Sequence, residues 1–293
     1  MGTVHGGLDG GVELTAYLVN ESRARRPELA ADELAAAWIP EAERGAVREL
    51  WEEFAGAVYP HDDLVVSLRG RFIADTLARA LRRDPDTVLV VCGAGFSSYS
   101  WLLPFRAALE VDLPDMAAAK RRRAAELADS GRVPGSAGRE VRHLAADLGR
   151  AEDRALVAAR VRELAAGRPV AYVAEGVLFY LPAEQARAVV RLGEEFGATV
   201  LTAVSYWPAA AAGSVVLERQ RRWFRSRGVP EEASHLTHHE LTGLLGGEVA
   251  DLGPEDLQRR YLGKVAVPES ELIPEYVAVA GVAGVAGAAE AAG

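Results

Sequence analysis

Residues 87–92, Thr-Val-Leu-Val-Val-Cys, run without a break into Gly93-Ala94-Gly95. A continuous β-branched and apolar run of this length reads as a strand buried on both faces. Such a strand needs helices above and below it, which places the chain among α/β proteins with a parallel sheet. The two glycines at its carboxyl end let a ligand approach the backbone closely, at the edge where doubly wound sheets bind their ligands.

The rest of the pattern agrees. Before residue 84 the chain reads as helix: Val12, Thr15, Ala16 and Val19 share a stripe, Asp32 to Trp38 is Ala-rich, and Val47, Leu50, Trp51 and Phe54 recur at helical spacing. Leu64 to Leu81 is a further helix, ended by Asp84-Pro85-Asp86. After Gly95 a helical stretch is expected, then strands at Leu109 to Leu113, Glu140 to Leu144, Val170 to Ala174 and Thr199 to Ser205. Helices at Pro114 to Asp129, Ala151 to Ala166 and Pro182 to Phe196 separate them. Helices around Ser214 to Ser226 and Thr237 to Leu245 follow, with late strands at Glu248 to Leu252 and Tyr276 to Ala280. The expected architecture is an α/β fold with a doubly wound, mostly parallel seven-stranded sheet and an N-terminal helical cap. One domain is expected: cap 1–83, core 84–280 with a lid insertion at about 208–246, and a frayed tail 281–293.

Composition narrows the function. The chain has 293 residues, one cysteine (Cys92) and a formal net charge of −9. A single cysteine excludes a disulfide framework, and the negative charge argues against nucleic acid as a partner. The Gly-rich start lacks an apolar h-region. The longest apolar stretch, Tyr276 to Ala289, falls short of the ~18 residues of a membrane span. A cytoplasmic protein, monomer or homodimer, with a small-molecule substrate and no membrane partner is the expectation.

Three places can carry chemistry. Gly93-Ala94-Gly95 is followed 17 residues after Gly95 by Asp112, near the ~20 expected of a carboxylate that accepts from ribose hydroxyls. A third glycine is missing, so a nucleoside ligand without a pyrophosphate, such as S-adenosylmethionine, fits better than a dinucleotide. Glu175 ends an apolar strand, where a cationic ligand or an arginine would explain a carboxylate. Arg69 and Arg71 precede the first strand, and one of the pair, aimed into the crevice, could clamp a carboxylate. In the cluster His235, His238, His239 with Glu240, adjacent histidines point in different directions on one helix; His235 and His239, at i, i+4, could share a face, but no metal is expected there.

Taken in order, RGRFIADTL, VLVVCGAGFSS, ALEVDLPDMAAAKRR, AADL and AYVAEGVLFYLP resemble the leucine carboxyl methyltransferase family, from about Gly11 to Pro208. The branch with tetracenomycin-type polyketide O-methyltransferases is nearest. The resemblance implies a class I S-adenosylmethionine-dependent methyltransferase. It implies that Arg71 holds the methionine carboxylate, that Gly93, Ala94 and Gly95 line the cofactor, and that Asp112 binds the ribose. It further implies that Asp147 and Leu148 contact adenine, that Glu175 meets the α-ammonium, and that Tyr180 stands near the transferred methyl. Phe96-Ser97-Ser98-Tyr99 replaces the family's Asp-Thr-Arg-like triplet.

For catalysis, a carboxylate acceptor needs a counter-charge, which Arg23 or Arg69 could supply, with Trp207 at the crevice rim. A hydroxyl acceptor needs a base. His61 and Asp62 are the candidates, with Tyr206 as the orienting group. The expected reaction is O-methylation of a small natural product. Cyclisation of the cofactor, a nicotinamide-dependent oxidoreductase and a cofactor-free interaction protein are the competing readings.

Overall fold

The computed structural model describes residues 12–133, 139–229, 232, 234–246 and 248–281. The Gly-rich start, most of the loop 131–138 and the expected tail beyond 281 lie outside the described residues.

Four helices build the cap: α1 (Val12–Arg25), the short α2 (Pro27–Ala30) and α3 (Ala35–Trp38), and α4 (Arg44–Ala57). On α4, Val47, Trp51 and Phe54 are buried, as their i, i+4, i+7 spacing demands. The long α5 (Asp62–Arg83) leads into β1 (Val88–Cys92). Then come α6 (Tyr99–Leu102), β2 (Ala107–Asp112), α7 (Pro114–Asp129), β3 (Glu140–Ala145), α8 (Ala151–Ala165) and β4 (Val170–Ala174). After α9 (Ala183–Arg191), β5 (Thr199–Pro208), α10 (Val215–Arg225) and β6 (His235–Leu236), the described chain ends with α11 (His238–Leu245), β7 (Val249–Leu252), α12 (Pro254–Leu262) and β8 (Tyr276–Ala280).

The strands lie in the order β3-β2-β1-β4-β5-β8-β7, with β6 paired to the end of β5. Pairing is parallel from β3 through β5, and β8 runs antiparallel between β5 and β7. This is the expected seven-stranded doubly wound sheet, with β6 as a two-residue addition. Strands β1, β2 and β4 are buried at every position, which their unbroken apolar runs require. Val88, Val90 and Cys92 pack on one face; Leu89 and Val91 pack on the other.

Some bounds differ from those expected: β2 spans Ala107–Asp112 rather than Leu109 to Leu113. The helical stretch after Gly95 is the four-residue α6, ended by Leu103, which is extended ahead of Pro104, while Phe96 before it stacks on Tyr17 at 5.1 Å. Strand β5 continues through Tyr206 and Trp207 rather than ending at Ser205. Among the described residues no helix is long and apolar enough to cross a membrane.

Candidate active site

The carboxyl ends of β1, β2 and β4 open into a cavity of about 320 Å³, roofed by α1, α4 and α10. That volume lies within the ~300–1,000 Å³ range of small-molecule sites.

The glycine turn forms its floor. Gly93 has φ +67°, and a Cβ there would fall 2.8 Å from Cβ of Val177, so both backbone angle and space demand glycine. The Gly95 N–H donates to Asp112 Oδ2 at 2.7 Å, and the Leu113 N–H donates to Oδ1 at 2.8 Å. Burial raises the Asp112 carboxyl above its ordinary range, and these two N–H groups oppose the shift. Beneath the turn, Lys120 Nζ sits 3.0 Å from the buried Glu110 and donates to the Ala94 carbonyl at 3.4 Å. Past β3, Asp147 Oδ1 accepts from the Gly149 N–H at 2.8 Å, and Asp147 and Leu148 line the cavity.

Glu175, at the end of β4, carries the densest set of contacts. Its Oε1 accepts from Arg23 at 2.6 Å and from Arg69 at 2.7 Å, and its Oε2 accepts from the Tyr99 hydroxyl at 2.6 Å. Arg69 also donates to Glu275, which stands just before β8. Burial alone would raise the Glu175 carboxyl, but the two guanidiniums and the tyrosine hold it down to about 2. Arg23 reaches this place only because position 70 is glycine: a Cβ there would fall 2.9 Å from Arg23 Nη2 and 3.0 Å from its Nε.

Asp62 marks the opposite wall. Its Oδ2 accepts from the Ser22 hydroxyl at 2.5 Å and its Oδ1 accepts from the Tyr59 hydroxyl at 2.7 Å, while Trp51 Nε1 donates to Ser22 at 2.8 Å. Burial pushes the Asp62 carboxyl upward.

Most of the residues singled out from sequence meet in this cavity: Arg23, Arg69, Gly93, Ala94, Gly95, Asp112, Asp147, Leu148, Glu175 and Tyr180 all line it. Four do not. Arg71 faces away, paired with Asp75 at 3.2 Å and lying over the Tyr261 ring, because two helical positions separate it from Arg69 by about 200°. His61 stands at the N-cap of α5 and is not a lining residue; its neighbour Asp62 is. Tyr206 turns to the other side of β5, where its hydroxyl donates to Asp251 at 2.6 Å. Trp207 is buried against Phe179, stacked at 4.4 Å, and supports the cavity wall from behind. Arg23 and Arg69, expected to face an acceptor carboxylate, are instead engaged by Glu175 and Glu275.

Sequence reasoning did not single out Glu275, Tyr59, Asn20 or Gln220. Glu275 had a usable signal, a charge immediately before the apolar strand Tyr276 to Ala280. The histidine cluster has structural roles: Glu240 forms a capping box with Thr237 and accepts from Arg187 at 2.6 Å, and His238 pairs with Asp251 at 3.1 Å. Among the described residues no group of three or more side chains is arranged to hold a metal ion.

A doubly wound sheet with a glycine turn, a backbone-anchored aspartate and a cavity at the strand ends defines a small-molecule-binding α/β protein of the nucleoside-cofactor class. The chain belongs to the leucine carboxyl methyltransferase family, whose family model it matches over residues 12–192. It is therefore an S-adenosylmethionine-dependent methyltransferase. Among solved structures, a DUF574 family protein from Streptomyces avermitilis is similar at 17% identity and TM-score 0.54, over 80% of this chain and 89% of that one. A Thermobifida fusca protein named only provisionally as a methyltransferase is similar at 15% identity and TM-score 0.53, over 80% of this chain and 87% of that one. These two likenesses concern the fold. No relative matches among the curated proteins.

Proposed function

We propose that this chain transfers a methyl group from S-adenosylmethionine to an oxygen of a small molecule, as natural-product O-methyltransferases do. The observation that carries this reading is the cavity's charge: five carboxylates (Asp62, Asp112, Asp147, Glu175 and Glu275) line it against two guanidiniums. That excess suits a ligand bearing a sulfonium and an ammonium.

The residues present fit the cofactor. Asp112, its oxygens oriented by two backbone N–H groups, would accept from the ribose hydroxyls. Asp147 and Leu148 would flank the adenine, and Gly93 and Gly95 leave room for the nucleoside against the backbone. Glu175 would face the ammonium. Arg69 replaces Arg71 as the candidate for the methionine carboxylate, since it lines the cavity. When bound, the cofactor supplies an electrophilic methyl group on sulfur. Tyr180 is a lining residue suited to flank that end. A hydroxyl acceptor must shed its proton, and the Tyr59–Asp62 pair is arranged to receive it. Tyr59 already donates to Asp62, and burial raises that carboxyl, which makes it a stronger base than an exposed aspartate. The Phe96–Tyr99 loop needs no different chemistry to explain it, because Tyr99 locks Glu175.

Calorimetric titration with S-adenosylhomocysteine and with NAD tests the cofactor, and product analysis after mixing with S-adenosylmethionine tests the reaction. Binding of S-adenosylhomocysteine and not NAD is expected, with no methylthioadenosine released. Tight NAD binding overturns the reading, and methylthioadenosine release would favour cyclisation.

A further inference from the structure

Gly93 and Gly95 both sit at positive φ, +67° and +44°, with Ala94 between them. Glycine adopts several backbone conformations at little cost, so the peptide joining Ala94 to Gly95 is free to turn unless something holds it. It is held at both ends. Its N–H, on Gly95, donates to Asp112 Oδ2 at 2.7 Å. Its carbonyl oxygen, on Ala94, accepts from the Ser97 N–H at 2.9 Å and from Lys120 Nζ at 3.4 Å. In a trans peptide these two groups point in opposite directions, so turning the carbonyl away from Lys120 also turns the N–H away from Asp112.

Lys120, on α7, is 2% exposed and is not a lining residue of the cavity. Lysine is almost never fully buried unless paired. Its partner is Glu110 on β2, equally buried, with Oε1 at 3.0 Å, and His143 Nδ1 on β3 stands 3.2 Å from Oε2. The ammonium also donates to Ser97 Oγ at 3.3 Å and lies 5.5 Å from the centre of the Trp38 ring in the cap. Trp38 Nε1 in turn donates to Ser98 Oγ at 3.0 Å. Replacing a buried ion pair by neutral side chains of similar volume is often neutral for stability. What Glu110 and Lys120 add is a fixed cation beneath the glycine turn, joined at once to the sheet, the cap and the Phe96–Tyr99 loop.

We infer that Lys120 is a positioning residue for the cofactor: held by Glu110, it fixes the Ala94–Gly95 peptide so that the Gly95 N–H keeps the Asp112 carboxylate turned toward the ribose. Lys120 acts through Asp112 and does not itself touch the ligand. The inference rests on the reading that places the ribose at Asp112, and adds to it the group that sets that carboxylate's orientation.

The test is a cycle of S-adenosylhomocysteine affinities measured by calorimetry on the full chain: native, Lys120→Met with Glu110→Gln, Asp112→Asn, and all three changes together. The paired change removes both charges, so no uncompensated ion stays in the core. It is expected to raise Kd about fivefold or more in the native background and less than about twofold beside Asp112→Asn, a non-additivity that a general loss of packing does not produce. Glu110→Gln alone separates the lysine from the ion pair. Burial already lowers the Lys120 ammonium from its ordinary range, so without its carboxylate it sheds the proton and still donates as a neutral amine. An affinity within about twofold of native is expected for that variant. Lys120 and Lys264 are the only lysines, so isotope labelling of lysine Nζ gives two resonances in the native chain. Saturating S-adenosylhomocysteine is expected to shift the Lys120 resonance and leave that of Lys264 in place, and this measurement decides if the paired variant does not fold. An unchanged Kd in the paired variant, equal losses in both backgrounds, a Glu110→Gln loss as large as that of the paired change, or an unmoved Lys120 resonance overturns the inference. A native chain that does not bind S-adenosylhomocysteine overturns the cofactor reading, and the inference falls with it.

Discussion

Arg23 on α1 donates to Glu175 at the end of β4 at 2.6 Å, across 152 positions of sequence. This contact ties the helical cap to the sheet through two side chains that are almost fully buried. Breaking one partner of a buried ion pair leaves an uncompensated charge, and that asymmetry makes the network testable.

The two neighbouring arginines should separate cleanly. Arg69→Met strands Glu275 and leaves Glu175 with Arg23 as its one guanidinium, and is expected to destabilise by about 3–5 kcal/mol. Arg71→Met removes a half-exposed i,i+4 pair and is expected to cost less than about 0.5 kcal/mol. Chemical denaturation of both variants checks this; equal losses would reject the assignment of Arg69 to the site.

Gly70 is a test that adds only a methyl group. Gly70→Ala pushes against the Arg23 guanidinium, which cannot retreat without leaving Glu175. A destabilisation of about 1–3 kcal/mol is expected, with weaker S-adenosylhomocysteine binding. Gly56→Ala, on α4 with nothing within 4 Å of the added carbon, is the control and should be neutral or stabilising.

For Asp112→Asn the readout is ligand affinity. The amide either presents N–H groups to the Gly95 and Leu113 donors or loses its orientation. A rise of at least tenfold in the S-adenosylhomocysteine Kd, about 1.4 kcal/mol, is expected by calorimetry.

Acid should weaken the fold through Glu175. Its folded pKa of about 2 lies below the ordinary 4.5, so its contribution is complete above about pH 4.5 and is lost as pH falls toward 2. Asp62 and Asp112 act in the opposite sense, because burial raises them and protonation relieves that cost. Melting temperatures between pH 5 and 2.5 should fall in the native chain. Glu175→Gln should flatten the fall, whereas Asp62→Asn should not.

The central strands were legible because strands buried on both faces leave no polar alternation to confuse the reading; the parallel Val170 to Ala174 and the antiparallel Tyr276 to Ala280 match the structure at both ends. The site was legible where a carboxylate stands at the carboxyl end of an apolar strand, as for Asp112 and Glu175. It was not where orientation decides. Arg69 and Arg71 differ in their helical neighbours: Val65, Val66, Phe72 and Ile73 surround Arg69, all buried, whereas Asp75 stands at i+4 from Arg71. Read as a helix face, that difference identifies the inward arginine, which family resemblance alone assigns to the other one. Gln220 left no trace in sequence, since an amide on an amphipathic helix is ordinary until its neighbours are known.

Strand β8 enters the sheet antiparallel between β5 and β7 and brings Glu275 to Arg69. The glycine turn, Asp112, Asp147 and Glu175 are all encoded before residue 176, yet the carboxylate that balances the second arginine arrives a hundred residues later. Without β8, Arg69 would share the single carboxylate of Glu175 with Arg23, two guanidiniums on one glutamate. A variant cut before Glu275 would carry the glycine turn, Asp112 and Glu175 but lack the second carboxylate that Arg69 holds.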